Sequence, residues 1–323
     1  MALSYEFSIG SVRARENRLF SEADAEQMLA LSSERELVHY LKDKDYGEGS
    51  TTDEILASHT RRMWDYLRRV APDFDLFLPF IIQNDIHNLK TVLKGTMADR
   101  DYAPLLVEPC SIPTETLIKA VENHRFESFP LWLQRPANRA YQILAETKDA
   151  RLSDAYLDRA VLDELLVQAK RSRSSFLMAY FHTLVFYTDV KTALRGARVG
   201  AGRYYLEKAI AACEGLDKPA LVKAALQGSE ALLKYLKAQQ VYDCQQAMAL
   251  FVRSPSAFEK FVDDKLITLA REGCRLTSEG PEPLLGYYIG CVYEQKMITL
   301  IAGGLKTETP KEQIRERLRG IYG

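Results

Sequence analysis

Three acidic residues stand where acids are seldom placed. Asp85 lies among Leu78, Ile81, Ile82, Leu89 and Val92, which recur at helical spacing. Asp189 follows Val185 and Phe186 and precedes Ala193, while Glu294 follows Cys291 and precedes Met297, Ile298 and Ile301. Each carboxylate is therefore expected on the apolar face of a helix, a costly position unless it is hydrogen-bonded or paired. Two kinds of chemistry fit. Facing a shared centre, Asp85, Asp189 and Glu294 could hold a cation or a basic partner, or serve a soluble all-helical metal-dependent enzyme as a metal or acid–base site. Alternatively, each acid ties its helix to a neighbour, with Arg13, Arg15 or Lys90 as candidate partners. The second reading is favoured, because buried polar groups are normally satisfied inside the fold.

The elements that must position these acids repeat along the chain. Asp189 and Glu294 follow at intervals of 104 and 105 residues (189 − 85 and 294 − 189), and a further acid precedes each one by 31 residues: Glu54, Asp158 and Asp263. Acids number 44 of 323 residues, so one coincidence would carry no weight. Six in register point to one helical unit of about 105 residues present three times. Boundaries are expected at 1–105, 106–203 and 204–323. Pro104, Pro109 and Pro113 mark the first linker, and Gly196, Gly200 and Gly202 precede the third unit.

The local signals are helical throughout, and no alternating pattern is long enough for a sheet. The opening from Tyr5 is expected to run as a helix through Leu19 and Phe20. Ser21 with Asp24, Ser33 with Glu36 and Thr51 with Glu54 read as helix starts, so Glu54 need do no more than complete its capping box. Met63, Trp64, Leu67 and Val70 share one face, as do Leu157, Val161, Leu165 and Ala169. Pro136 is expected to separate short segments, and Ser256 with Glu259 to start a helix after Pro255. Thr309, Pro310 and Glu312 are expected to open a last helix over Ile314–Tyr322, whose Arg315, Arg317 and Arg319 read as a solvated face. The fold class is all-α.

Bulk properties exclude several functions. Net charge is −1, with no basic footprint for nucleic acid. The longest stretch free of Asp, Glu, Lys and Arg, Ser174–Thr188, is shorter than the ~20 residues a membrane helix needs. The five cysteines form no C-x-x-C pair and read as free thiols in a reducing cytoplasm, most of them core residues. The five histidines form no H-E-x-x-H or i, i+4 pair, so no metal site is assigned through them. His87 reads as a surface or interhelix hydrogen-bonding group and Asp264 as solvated. The glycines around Gly196–Gly202 follow a helix rather than a strand and read as a helix stop, not a phosphate loop. No catalytic residue, metal ligand or cofactor is assigned.

Three runs carry a resemblance to a known family. They are Tyr5…Ser11-Val12-Arg13-Ala14-Arg15-Glu16…Leu19, then Asn84-Asp85-Ile86-His87-Asn88-Leu89-Lys90…Leu93, and finally Glu294 with Ile314-Arg315-Glu316-Arg317-Leu318-Arg319…Tyr322. The chain resembles the C subunit of the archaeal and bacterial V-type (A-type) rotary ATPases, counterpart of the d subunit in the eukaryotic vacuolar enzyme. Thr192 departs from that family, which usually has asparagine three residues after the second acid. The resemblance implies a funnel of three similar helical units with a central cavity, and a non-catalytic part that needs no cofactor. It also implies the partners: central-stalk subunits of the D and F type, and the proteolipid subunits of the membrane rotor ring. The implied place is the cytoplasmic face of the membrane, where rotation is passed to a ring moving H⁺ or Na⁺.

Overall fold

The computed structural model describes residues 4–239 and 243–323, and among these the chain is all helical, without a strand. The helices in chain order are α1 (Tyr5–Glu16), α2 (Glu22–Ala30), α3 (Glu34–Asp43), α4 (Thr52–Val70), α5 (Leu78–Ala98), α6 (Thr114–Glu122), α7 (Leu131–Thr147) and α8 (Ala150–Ser172). They continue as α9 (Ser175–Val199), α10 (Arg203–Ala209), α11 (Lys218–Leu226), α12 (Ser229–Ala238), α13 (Cys244–Arg253), α14 (Pro255–Cys274), α15 (Glu282–Lys306) and α16 (Lys311–Arg317). Two shorter helices followed by two long ones occur in the order α2–α5, α6–α9 and α11–α15, the last carrying α13 in addition.

The chain forms two compact units, Met1–Asp75 with Gln246–Gly323, and Leu76–Gln245. In the first unit α15 is the central helix and packs against α1, α2, α3, α4, α14 and α16. Its sequence explains that place. Leu284, Leu285, Ile289, Met297, Ile298 and Ile301 are buried on several of its sides, so it must be enclosed rather than laid on a surface. Phe20, Met28, Leu37, Leu41 and Ile55 complete this core with Met297, Ile298, Ile301 and Ile314. In the second unit α8 packs against α5, α7, α9 and α10. Leu157, Val161, Leu165 and Ala169 form its buried face, as their spacing predicts.

Several starts and stops follow their signals. Ser21, Ser33 and Thr51 accept backbone N–H groups at the heads of α2, α3 and α4. Gly200 ends α9 in the left-handed region, with φ 65°.

Other expectations are corrected. α1 stops at Glu16, leaving Leu19 and Phe20 outside it, because the Phe20 amide is drawn to another partner described below. Pro136 lies inside α7 instead of breaking it. Ser254, not Ser256, caps α14, since Pro255 takes the first helical position. α16 ends at Arg317 and starts after Pro310 without a side-chain cap; the Thr309 hydroxyl meets Thr307 instead.

The last residues are extended and held down. Tyr322 is buried, and its hydroxyl donates to Glu16 at 3.1 Å. It packs where α15 has no side chains. A Cβ at Gly286 would meet the Tyr322 hydroxyl and the Cys274 Cβ, the latter at 2.5 Å, and one at Gly290 would lie 3.0 Å from the Tyr322 ring. Gly286→Ala is therefore expected to cost about 2 kcal/mol by overpacking. Gly10→Ala on α1 meets nothing within 4 Å and should be neutral or slightly stabilising, since alanine is the better helix former. Thermal melts of the two variants check this, and a silent Gly286→Ala would refute the docking of Tyr322.

Candidate functional site

The polar edge of α5 is spent on one irregular segment, which opens with a short 3-10 helix over Ala103–Leu105. Residues 103–113 contain three prolines and cannot build a regular ladder, so their backbone groups must find other partners. The run Asn84–Asn88 supplies them. Asn84 donates to the Pro109 carbonyl at 2.9 Å and His87 Nε2 to the Leu105 carbonyl at 3.0 Å. Asn88 pairs with Val107 in both directions, donating to its carbonyl and accepting from its amide, each at 2.9 Å. Asp85 accepts the amides of Ser111 at 2.9 Å and Ile112 at 3.1 Å, and the Ser111 hydroxyl as well. Burial pushes the Asp85 carboxyl above its ordinary value, while the three donors pull it back.

The same arrangement recurs on α9 in thinner form. Asp189 accepts the Ala211 amide at 2.8 Å, and its other oxygen, Oδ2, is buried without a hydrogen-bond partner. Thr192 occupies the position that corresponds to Asn88 and is too short to span an amide and a carbonyl at once. With one hydrogen bond opposing burial, Asp189 is pushed up to about 7. Lys218, whose ammonium donates to the Ile210 carbonyl, draws it back in part.

On α15, Glu294 accepts the Phe20 amide. Burial raises this carboxyl to about 8, against the pull of the Phe20 amide and the Tyr46 hydroxyl beside it. The surroundings differ from the other two. His59 Nδ1 lies 2.9 Å from the Tyr46 carbonyl, and its ring stacks on Tyr46 at 3.9 Å between centroids. A carbonyl only accepts, so Nδ1 carries the hydrogen. Burial pushes His59 down to about 4.

Each mid-helix acid thus binds the residue that leads into the next pair of shorter helices. Ile112 precedes α6, Ala211 precedes α11, and Phe20 precedes α2, so the third acid takes its partner from the start of the chain.

The remaining singled-out residues serve separate contacts. Glu54, at the exposed head of α4, accepts the Ser50 amide at 2.6 Å. Asp158 pairs with Lys90 at 2.6 Å and joins α8 to α5. Asp263 meets Lys296 at 2.7 Å and Arg319 at 3.0 Å. Burial raises that carboxyl, but the two cations outweigh it and hold it below its ordinary value. Glu54 lies in the first turn of α4, whereas Asp158 and Asp263 lie in the third turns of α8 and α14, so the 31-residue interval does not mark one structural position. Arg13 donates to the carbonyls of Cys274 and Thr277, and Arg15 stacks over Tyr66 at 3.9 Å. Arg315 clasps Glu26 and pairs with Glu312, so it is not merely solvated. Arg317 is exposed and lines a shallow cavity with Arg253 and Lys260. Asp264, expected to be solvated, accepts from Lys260 at 2.6 Å and from the Gly320 amide at 2.7 Å.

Among the described residues the group with metal-ligand spacing is His59, Cys291 and Glu294; neither Asp85 nor Asp189 belongs to it. Asp85, Asp189 and Glu294 act instead as acceptors for backbone amides, not for Arg13, Arg15 or Lys90. Sequence reading missed the amide partners because irregular backbone carries no side-chain signature. The polar run Asn84–Asn88 was the available signal that one segment needs many hydrogen bonds.

Residues 8–317 match the family described as ATP synthase (C/AC39) subunit. The C subunit of the A-type ATP synthase of Methanocaldococcus jannaschii is 23% identical over 97% of this chain and 86% of its own length. The C subunit of the V-type sodium ATPase of Enterococcus hirae is 20% identical over 96% of this chain and 97% of its own. No helix among the described residues is long and apolar enough to cross a membrane. A match over almost the whole length makes this chain a member of the ATP synthase C/AC39 subunit family, whose members are structural rather than catalytic parts of V- and A-type ATPases.

Proposed function

We propose that the chain is the central-rotor connector of a V/A-type ATPase, coupling the central stalk to the membrane rotor ring for H⁺ or Na⁺ transport. Its partners are the D- and F-type stalk subunits on one side and the ring proteolipids on the other. It lies on the cytoplasmic face, held to the membrane through the ring. Three pseudo-repeated helical units, 1–105, 106–203 and 204–323, form a funnel whose central cavity receives the foot of the stalk.

The observation that carries this reading is the family match over residues 8–317, together with relatives that are the C subunits of an A-type synthase and of a V-type sodium ATPase. The way the polar side chains are used supports it. Asp85, Asp189 and Glu294 each fasten a long helix to an irregular segment. Hydrogen bonds of this kind stiffen a body that must pass torque.

Co-expression with the stalk subunits from the same genome tests the proposal. A defined complex that survives size exclusion, and that then captures the detergent-solubilised ring, is the expected result. A monomer that ignores both would overturn it.

A further inference from the structure

We propose that His59, Cys291 and Glu294 form a zinc-binding site that joins α4 to α15. This inference does not depend on the rotary reading. The donor atoms of the three residues all lie within 4.8 Å of one another. Zinc bonds of about 2.0 to 2.3 Å place tetrahedral donors roughly 3.5 Å apart, so side-chain shifts of about 1 Å close the set. Nitrogen, thiolate and carboxylate are all ordinary zinc donors.

The histidine is prepared for this role. Its Nδ1–H is directed at the Tyr46 carbonyl at 2.9 Å, which leaves the lone pair on Nε2. That nitrogen is buried and has no hydrogen-bond partner among the described residues. A metal-binding imidazole is normally oriented in this manner, its second nitrogen held by a carbonyl. Stacking on Tyr46 fixes the ring plane. Burial keeps the ring neutral, the form that ligates.

Cys291 is fully buried one turn before Glu294 on the same face of α15. Burial and the Glu294 carboxylate push its thiol up in the metal-free fold, while the Tyr287 hydroxyl and the Arg15 guanidinium near the sulfur favour the thiolate. With a thiolate and a carboxylate as ligands, the loaded zinc site is neutral. Glu294 has one oxygen for the metal and one for the Phe20 amide. A cavity of about 80 Å³, lined by His59 and Glu294 and also by Arg15, Arg18, Lys44 and Arg62, has room for a water as fourth ligand, and the two anionic ligands must offset those cations around the metal. Neither sister acid has such a set: Ile82 and Phe186 stand where Cys291 stands, three residues ahead.

The test uses the full chain, stripped with a chelator and titrated with Zn²⁺ and with Co²⁺. Near-stoichiometric zinc retained through desalting is expected, together with a thiolate-to-cobalt charge-transfer band in the near ultraviolet. Cys291→Ser should abolish the band, and His59→Gln should weaken zinc binding at least tenfold, with helix content checked by circular dichroism. Should Cys291→Ser fail to fold, His59→Gln decides, because its side chain lines the cavity rather than the core. The proposal is overturned by a wild-type chain that takes up no metal at micromolar concentrations. It is equally overturned by binding that is unchanged in these variants, which would place the metal on another thiol.

Discussion

A chain carrying Asp85→Ala is expected to be cut by a non-specific protease between Leu105 and Ile112 about a hundred times faster than the parent. The carboxylate accepts three hydrogen bonds from Ser111 and Ile112. Ser111 is exposed, and water can take over its donors; Ile112 is buried, and its amide would be left without an acceptor. An orphaned buried donor costs about 1–3 kcal/mol and a hydrogen bond to a charged group contributes about 1.5–3. Burial already raises the carboxyl above its ordinary value, so desolvation offsets part of that gain. A net loss of about 3 kcal/mol corresponds to roughly a hundredfold rise in the opened population, which limits cleavage when reclosing is fast. Asp85→Asn retains one acceptor oxygen and should raise cleavage only about tenfold. Equal cleavage of all three chains would refute the role assigned to Asp85.

The second large effect is a pH dependence that belongs to Asp189. Its carboxyl rises from an ordinary 3.8 to about 7 in the fold. The folded state therefore binds the proton more tightly than the unfolded state, so stability falls as pH rises through that window. The groups facing it are Lys218 and Arg159, which favour the charged form, and Asp163, which opposes it. Cys213 stays a thiol, since burial and then Asp189 push it up to about 12. Between pH 5 and pH 8 the contribution of Asp189 should fall by about 2–3 kcal/mol. Asp189→Asn cannot titrate, so the stability difference between parent and variant should shrink by that amount over the same interval. Urea melts at the two pH values measure it, and a difference independent of pH would show that the acid is ionised throughout.

How much of this was legible in the sequence depended on where the information lay. Helix existence was plain wherever apolar residues recurred at helical spacing, as in Leu157–Ala169 or around Asp85, because burial of a face dictates that pattern. Asp85, Asp189 and Glu294 announced themselves as acids out of place. What they bind was hidden, because a backbone amide looks the same at every position. The signal is also thinner around Asp189: Asn84-Asp85-Ile86-His87-Asn88 offers amide side chains that both donate and accept at its two ends, whereas Thr188-Asp189-Val190-Lys191-Thr192 has only short hydroxyls there. Ends were least readable. Leu19, Phe20 and the segment after Arg317 have helix-compatible sequences, yet contacts distant in sequence, Glu294 for Phe20 and Gly286 for Tyr322, draw them out of the helix. The nearness of His59 to Cys291 was invisible for the same reason.

The unit containing α15 is assembled from both arms of the chain, with Leu76–Gln245 lying between them. On a ribosome, α1 to α4 emerge long before the helix that buries them. At about 5–20 residues per second, the intervening segment takes roughly ten to thirty seconds to be made. Throughout that delay Met28, Leu37, Leu41 and Ile55 lack the α15 residues they pack against, and the Phe20 amide lacks its carboxylate. The Leu76–Gln245 unit, drawn from one continuous stretch, has no such wait. The expected order of maturation is therefore middle first and the two ends together last, with the early arm left exposed in the interval.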